Sequence, residues 1–219
     1  MARSSRRTWL LAWLPAMVLV IVIAGVVFTT IAVQNSWWAE EKPEASSEQK
    51  ASDGSTMLTD AGFDYANVEG VVRVRMGAGG PSATDLGLPA TGQKDAEFRR
   101  PVRTVVAAGD DVFVVDDVAT LSASSRNDEL TSVSIRLDRV STWQNALTAL
   151  RSMADGLGWN PAEIDALDDG LAEFNRDSDG DTFTAVITAQ HDEVTVTATL
   201  VFDRASGATP VLITFALRE

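Results

Sequence analysis

The sequence predicts an α+β protein, with an N-terminal transmembrane helix, a stalk, and then a mainly antiparallel sheet with a helix pair packed on one face. Three observations carry this reading. Residues Trp9 to Val33 form 25 positions without a charged side chain, directly behind Arg3, Arg6 and Arg7. Residues 34–60 are acidic and poor in large apolar side chains. Beyond them the apolar pattern runs with period two, switches to a period near 3.6, and returns to period two.

At about 1.5 Å rise per residue, 25 helical residues reach roughly 37 Å, against a hydrocarbon core of roughly 30 Å. Pro15 falls inside this span, where freed backbone groups are re-satisfied locally. Trp9 and Trp13 mark one interface, and Trp37 and Trp38 the other. Arginines before the span and Glu40, Glu41 and Glu44 after it put residues 1–8 in the cytoplasm and residues 61–219 outside, by the positive-inside rule. A cleaved secretory signal is the alternative, with Thr30-Ile31-Ala32 as its best small-residue site. Ser5-Arg6-Arg7-Thr8-Trp9-Leu10-Leu11 resembles a twin-arginine export signal, which normally carries Phe where Trp9 stands. Gly25 and Thr29 form a small-xxx-small pair.

The chain holds 31 acids and 18 bases, and its first 35 residues contain three of the bases and none of the acids. The remainder therefore carries 15 bases against 31 acids, a formal charge of −16. Such a field repels nucleic acid and anionic lipid, so the sequence expects no nucleic-acid partner. Cysteine is absent, which removes disulfides, thiolate nucleophiles and cysteine metal sites. Three lysines against 15 arginines is a bias associated with bacteria of GC-rich genomes. Residues 34–60 cannot bury enough surface to offset chain entropy and read as a flexible stalk.

Val72, Val74 and Met76 alternate with Arg73 and Arg75, the pattern of a half-buried strand. Residues 77–97 keep no period and read as a long loop. Val102 to Ala107 and Val112 to Val115 read as strands around a Gly109-Asp110-Asp111 turn, and Thr131 to Leu137 as another. Ser141-Thr142-Trp143-Gln144 matches a capping box, with Ser141 as the cap. Trp143, Leu147, Leu150, Met153 and Leu157 form the stripe that follows, stopped by Gly156 and Gly158. Asn160-Pro161 opens a second helix with the stripe Ile164, Leu167, Leu171 and Phe174. Phe183 to Ala189, Val194 to Phe202 and Val211 to Leu217 then read as a three-stranded antiparallel meander.

Asn175-Arg176-Asp177-Ser178-Asp179-Gly180-Asp181 resembles the first half of an EF-hand calcium loop, with oxygen ligands at alternate positions and glycine at the sixth. The resemblance implies calcium ligation by Asn175, Asp177, Asp179 and Asp181. The twelfth position is Val186 rather than a bidentate Glu, and an Asp-Gly turn favours the same residue types. Calcium is the one cofactor the sequence suggests. From Asp155 to Asp181 nine acids accompany the single base Arg176. Arg99, Arg100 and Arg103 concentrate positive charge in an acidic domain, either for an anionic partner or for pairing with the acidic helices. His191, the single histidine, sits in a hairpin turn beside Asp192 and Glu193, where common zinc and Ser-His sites are hard to assemble. The outward residues Thr184, Thr188, Thr195, Thr197, Thr199 and Thr214 suit a solvent-facing strand surface, a docking face or an edge open to strand addition.

The function expected from the sequence is a non-enzymatic binding or scaffolding module of a bacterial cell envelope, anchored through residues 9–33 and working through an envelope protein partner. The alternatives are a calcium-binding domain using the 175–181 loop and a carboxylate-dependent envelope hydrolase.

Overall fold

The computed structural model describes residues 54–77, 79–138 and 142–218. The span expected over residues 9–33 lies outside them; among the described residues no helix is long and apolar enough to cross a membrane.

Three helices and a mixed seven-stranded sheet make up the described chain. In chain order they are α1 (Asp60–Glu69), β1 (Val71–Met76), β2 (Gly92–Ala108), β3 (Asp111–Arg126), β4 (Glu129–Leu137), α2 (Trp143–Leu157), α3 (Pro161–Asp177), β5 (Thr182–Gln190), β6 (Val194–Asp203) and β7 (Val211–Leu217). The strand order is β1-β2-β3-β4-β7-β6-β5. β1 pairs parallel with β2, and every other neighbouring pair is antiparallel.

Register gives the sheet two unlike faces. Leu121, Ile135, Ile213, Ala198 and Ile187 are successive cross-strand partners from β3 to β5, all at most 3% exposed. One residue along, Ser122, Ser134, Thr214, Thr197 and Thr188 are partners on the opposite side. The apolar face is covered at one end by α1 and at the other by α2 and α3. Phe63 and Ala66 of α1 join the core there, with Leu58, Leu86 and Leu88 from the adjoining segments. Trp143 of α2 meets Phe183 and Phe202, and the Trp159 indole N–H donates to the Val196 carbonyl at 3.2 Å.

Several boundaries differ from the sequence reading. Residues 34–60 read as stalk, yet Leu58 is fully buried, Thr59 caps α1 by accepting from the Gly62 N–H, and the Thr56 N–H donates to Arg73 at 2.6 Å. The domain therefore includes residues well before 61. The loop expected over 77–97 ends early, because β2 begins at Gly92. The helix α2 is capped by Thr142, whose Oγ1 accepts from the Asn145 N–H at 3.3 Å. Ser141 lies outside the described residues, and the Gln144 amide donates to Asp168 at 3.4 Å rather than closing a capping box. Gly156 stays inside α2, and Gly158, at φ +72°, ends it.

Phe215 is fully buried, and its ring centroid lies 5.4 Å from that of Phe113. Phe215→Ala is expected to cost about 3–5 kcal/mol in urea-unfolding stability. Thr142→Ala is expected to cost about 1 kcal/mol by the same measurement, because it leaves an α2 N–H without its acceptor.

Candidate functional site

The segment that resembles a calcium loop is built differently from one. Asn175 and Asp177 remain on α3, and Ser178 caps it, with its N–H bonded to the Phe174 carbonyl. Asp177, Asp179 and Asp181 are all exposed. The oxygens that turn inward are backbone carbonyls, and a cation of the chain itself engages them. Arg204 donates to the Ser178 carbonyl at 3.0 Å and the Phe174 carbonyl at 3.2 Å, with its guanidinium 4.5 Å from the Phe174 ring centroid. The Arg204 N–H also donates to the Asp181 carbonyl at 2.9 Å. Cationic donors at a helix C-terminus satisfy its free carbonyls and oppose its dipole. Among the described residues no group of three or more His, Cys, Asp or Glu side chains is arranged to hold a metal ion.

The three arginines of the basic segment are engaged within the chain. Arg100 donates through Nε to the Asn67 carbonyl at 2.9 Å and through Nη2 to the Val68 carbonyl at 2.6 Å, closing the end of α1. Arg99 reaches Asp64 at 3.7 Å, and its backbone N–H bonds the Asn67 side chain. Arg103 holds Asp116 at 2.6 Å, a hydrogen bond that raises its guanidinium pKa. Their partners are α1 and β3, not the acidic helix pair the sequence suggested.

Two features were not legible in the sequence. A groove of about 520 Å³ runs between β3, the end of β4 and α2, and Asp116, Asp117 and Asp138 stand in its wall beside Asn145, Thr148 and Ser152. Asp116 and Asp117 lie on β3, far in sequence from the helix that faces them, so spacing could not reveal the group. Asp117 has a positive φ of 58°, uncommon for a residue other than glycine. The second feature is Glu193. Its carboxylate lies against two turns, such that a Cβ on Gly77 would stand 2.6 Å from Oε2 and one on Gly109 would stand 2.9 Å from Cδ. Oε2 is buried without a hydrogen-bond partner among the described residues. His191 next to it bonds the Leu157 carbonyl through Nε2 at 3.2 Å and approaches Asp111 at 3.7 Å. The histidine thus ties the β5–β6 turn to the end of α2 and the start of β3.

The remaining candidate is the face and edge of the sheet that no other element covers among the described residues. Ser134 and Thr214 share a hydrogen bond of 2.9 Å across β4 and β7, and Thr188 and Thr197 one of 3.3 Å across β5 and β6. Apolar side chains interrupt these hydroxyls, with Val186 at 53% and Leu212 at 41% exposure. Arg136 is the charged residue within the paired part of β4 on this face. Polar groups that already bond one another, with apolar spots between them, form a surface that loses little on desolvation. No protein-family model matches the chain, and no curated protein or solved structure matches it.

Two measurements follow from this geometry. Arg204→Gln is expected to lower the thermal unfolding midpoint equally in chelator and in calcium, because the guanidinium holds the Ser178 and Phe174 carbonyls. Asp203 accepts from the Ser206 N–H at 2.8 Å and hydroxyl at 3.0 Å, which lowers its pKa from the ordinary 3.8. A carboxylate lowered on folding stabilises fully above its unfolded pKa and loses that contribution as pH falls through the folded one. The stability gap between wild type and Asp203→Asn should therefore close below 3.8, read from urea midpoints between about pH 6 and about pH 2.

Proposed function

We propose that this chain is a single-pass, membrane-anchored module of a bacterial cell envelope that binds a protein partner through the uncovered side of its extracytoplasmic sheet. One observation carries the reading. Five strands align a hydroxyl-rich, nearly uncharged face next to a strand edge with no neighbour among the described residues, on a chain of net charge −13. Binding surfaces are distinguished by charge depletion at their centre more than by bulk apolarity. The tether is residues 9–33, the acidic segment after it spaces the domain from the bilayer, and the positive-inside rule sets the side.

A second reading, a carboxylate-dependent envelope hydrolase, draws on the groove that gathers Asp116, Asp117 and Asp138. Asp117 and Asp138 stand in the same wall and are the pair this reading assigns to acid and base roles. Loss of glycan hydrolysis in Asp117→Asn and Asp138→Asn would establish it.

The test of the first reading is topological and then chemical. In spheroplasts, added protease should digest the C-terminal domain of the full chain while a cytoplasmic marker survives. A photocrosslinker placed at Leu212 or Val186 should capture one discrete envelope protein, and one placed at Asp110 should not. A domain protected in whole cells and in spheroplasts alike would sink the reading.

A further inference from the structure

The two edges of the sheet are treated differently. At β1, the outward backbone groups of Arg73 are both used: its carbonyl accepts from the Thr56 N–H at 2.6 Å, and its N–H donates to Thr56 Oγ1 at 2.9 Å. The segment before α1 thus covers that edge. At β5 nothing comparable is present among the described residues.

The direction of each β5 backbone group follows from the ladder. In an antiparallel pair, facing residues alternate between those that exchange both hydrogen bonds and those that exchange none. The His191 N–H bonds the Val194 carbonyl, and the Arg204 N–H bonds the Asp181 carbonyl, each at 2.9 Å. Odd-numbered β5 residues therefore bond β6, and Thr184, Val186 and Thr188 turn their N–H and C=O groups away from it. Among the described residues these groups have no backbone partner. From Thr182 to Gln190 there is no charge and no proline, the residues by which strand edges are normally guarded.

The neighbourhood of the edge selects its occupant. Helix α3 packs beside β5, with Phe174 against Phe183 at 5.4 Å between ring centroids and Gly170 so close that a Cβ there would stand 3.2 Å from the Phe183 ring. Asp165 is paired with Arg151, and Asp168 accepts from Trp143, both on the α2 side. Glu163, Asp169 and Glu173 are exposed and make no ion pair among the described residues. A second copy pairing edge to edge would set two such helices side by side, acid against acid.

Resting on the reading of the chain as a protein-binding module, we propose that the outer edge of β5 takes an extended, basic segment of a protein partner as an eighth strand. Main-chain bonds to Thr184, Val186 and Thr188 hold it, and its Lys or Arg side chains meet Glu163, Asp169 and Glu173 of α3. Its alternate residues lie along Thr184, Val186 and Thr188 on the uncovered face.

The test uses the full chain in detergent micelles with a labelled peptide of alternating valine and lysine, followed by fluorescence anisotropy and amide hydrogen exchange. Binding with slowed exchange at Thr184, Val186 and Thr188 supports the proposal. So does a loss of about tenfold in affinity on combining Glu163→Gln, Asp169→Asn and Glu173→Gln. Val186→Pro should abolish binding, since it removes an outward N–H while sparing the bonds to β6; its fold is checked by its unfolding midpoint. A peptide N-methylated at alternate residues makes the same cut without touching the protein. Equal binding of the glutamate counterpart, or binding without β5 protection, overturns the proposal. A β5 edge already protected by a second copy overturns it too. Wild-type crosslinks in cells that persist unchanged in Val186→Pro would end the edge proposal and leave the binding module standing, whereas a cytosolic domain would end the module itself.

Discussion

Register across β3, β4, β7, β6 and β5 is the constraint on which the rest of this structure depends. Side chains alternate faces at every residue, so a one-residue slip in any pair would exchange Ile213 for Leu212 or Ile135 for Ser134 on the covered side. The slip would bury hydroxyls against α2 and α3 and expose the row from Leu121 to Ile187. Burying Leu121, Ile135, Ile213 and Ile187 in that row is worth roughly 1.5–3 kcal/mol each, together comparable to the whole margin of a typical domain. Whatever the uncovered face does, it inherits its arrangement from this choice. The hydroxyls lie in rows because the apolar residues on the other side must.

An acidic domain with few bases also has to place each base where it counts. Arg100 closes α1 and Arg204 closes α3, each by donating to carbonyls that the helix leaves free. Arg103 and Arg151 tie acids on neighbouring elements. Positive charge is spent on helix ends and joints, and the exposed surface of α3 is left negative. Part of the acidity that the sequence shows as a bulk number therefore stands on the exposed surface of α3, the helix that packs against β5.

How much of this could be read from residues alone depended on whether local pattern carried the information. β1, the two long helices and the meander were legible because their periods are unbroken over the whole element. β2 and β3 were cut short because their ladder shifts register between Glu97 and Val102, between Val102 and Thr104, and between Val118 and Thr120. Each bulge changes which parity of residue faces inward: Phe113 and Val115 are buried, then Val118, then Leu121 and Ala123. Alternation fails across such a point although the strand continues. α1 was missed because ten residues bury only Gly62, Phe63 and Ala66, and its signals, Thr59 before and Gly70 after, were hidden in an acidic, small-residue composition. The aspartates of the 175–181 loop were visible, but Arg204, which closes the loop, comes from the far end of a hairpin and leaves no local trace.

The difference between the two edges is a physical asymmetry rather than an accident of where the sheet stops. An edge strand with unpaired amides, β-branched residues and no charge is the surface on which sheets aggregate, and proteins blunt such edges with lysine, proline, bulges or a covering segment. Here β1 has its covering segment at Thr56, whereas β5 has none of these devices within the strand. Negative charge on α3 supplies the missing discrimination from outside the strand. It opposes a second copy of the same acidic chain and attracts a strand of opposite sign, so one arrangement suppresses the wrong pairing and favours the right one. Lysine placed within β5 would have prevented both. The proposed partner strand rests on this combination: an edge bare among the described residues, beside an acidic helix.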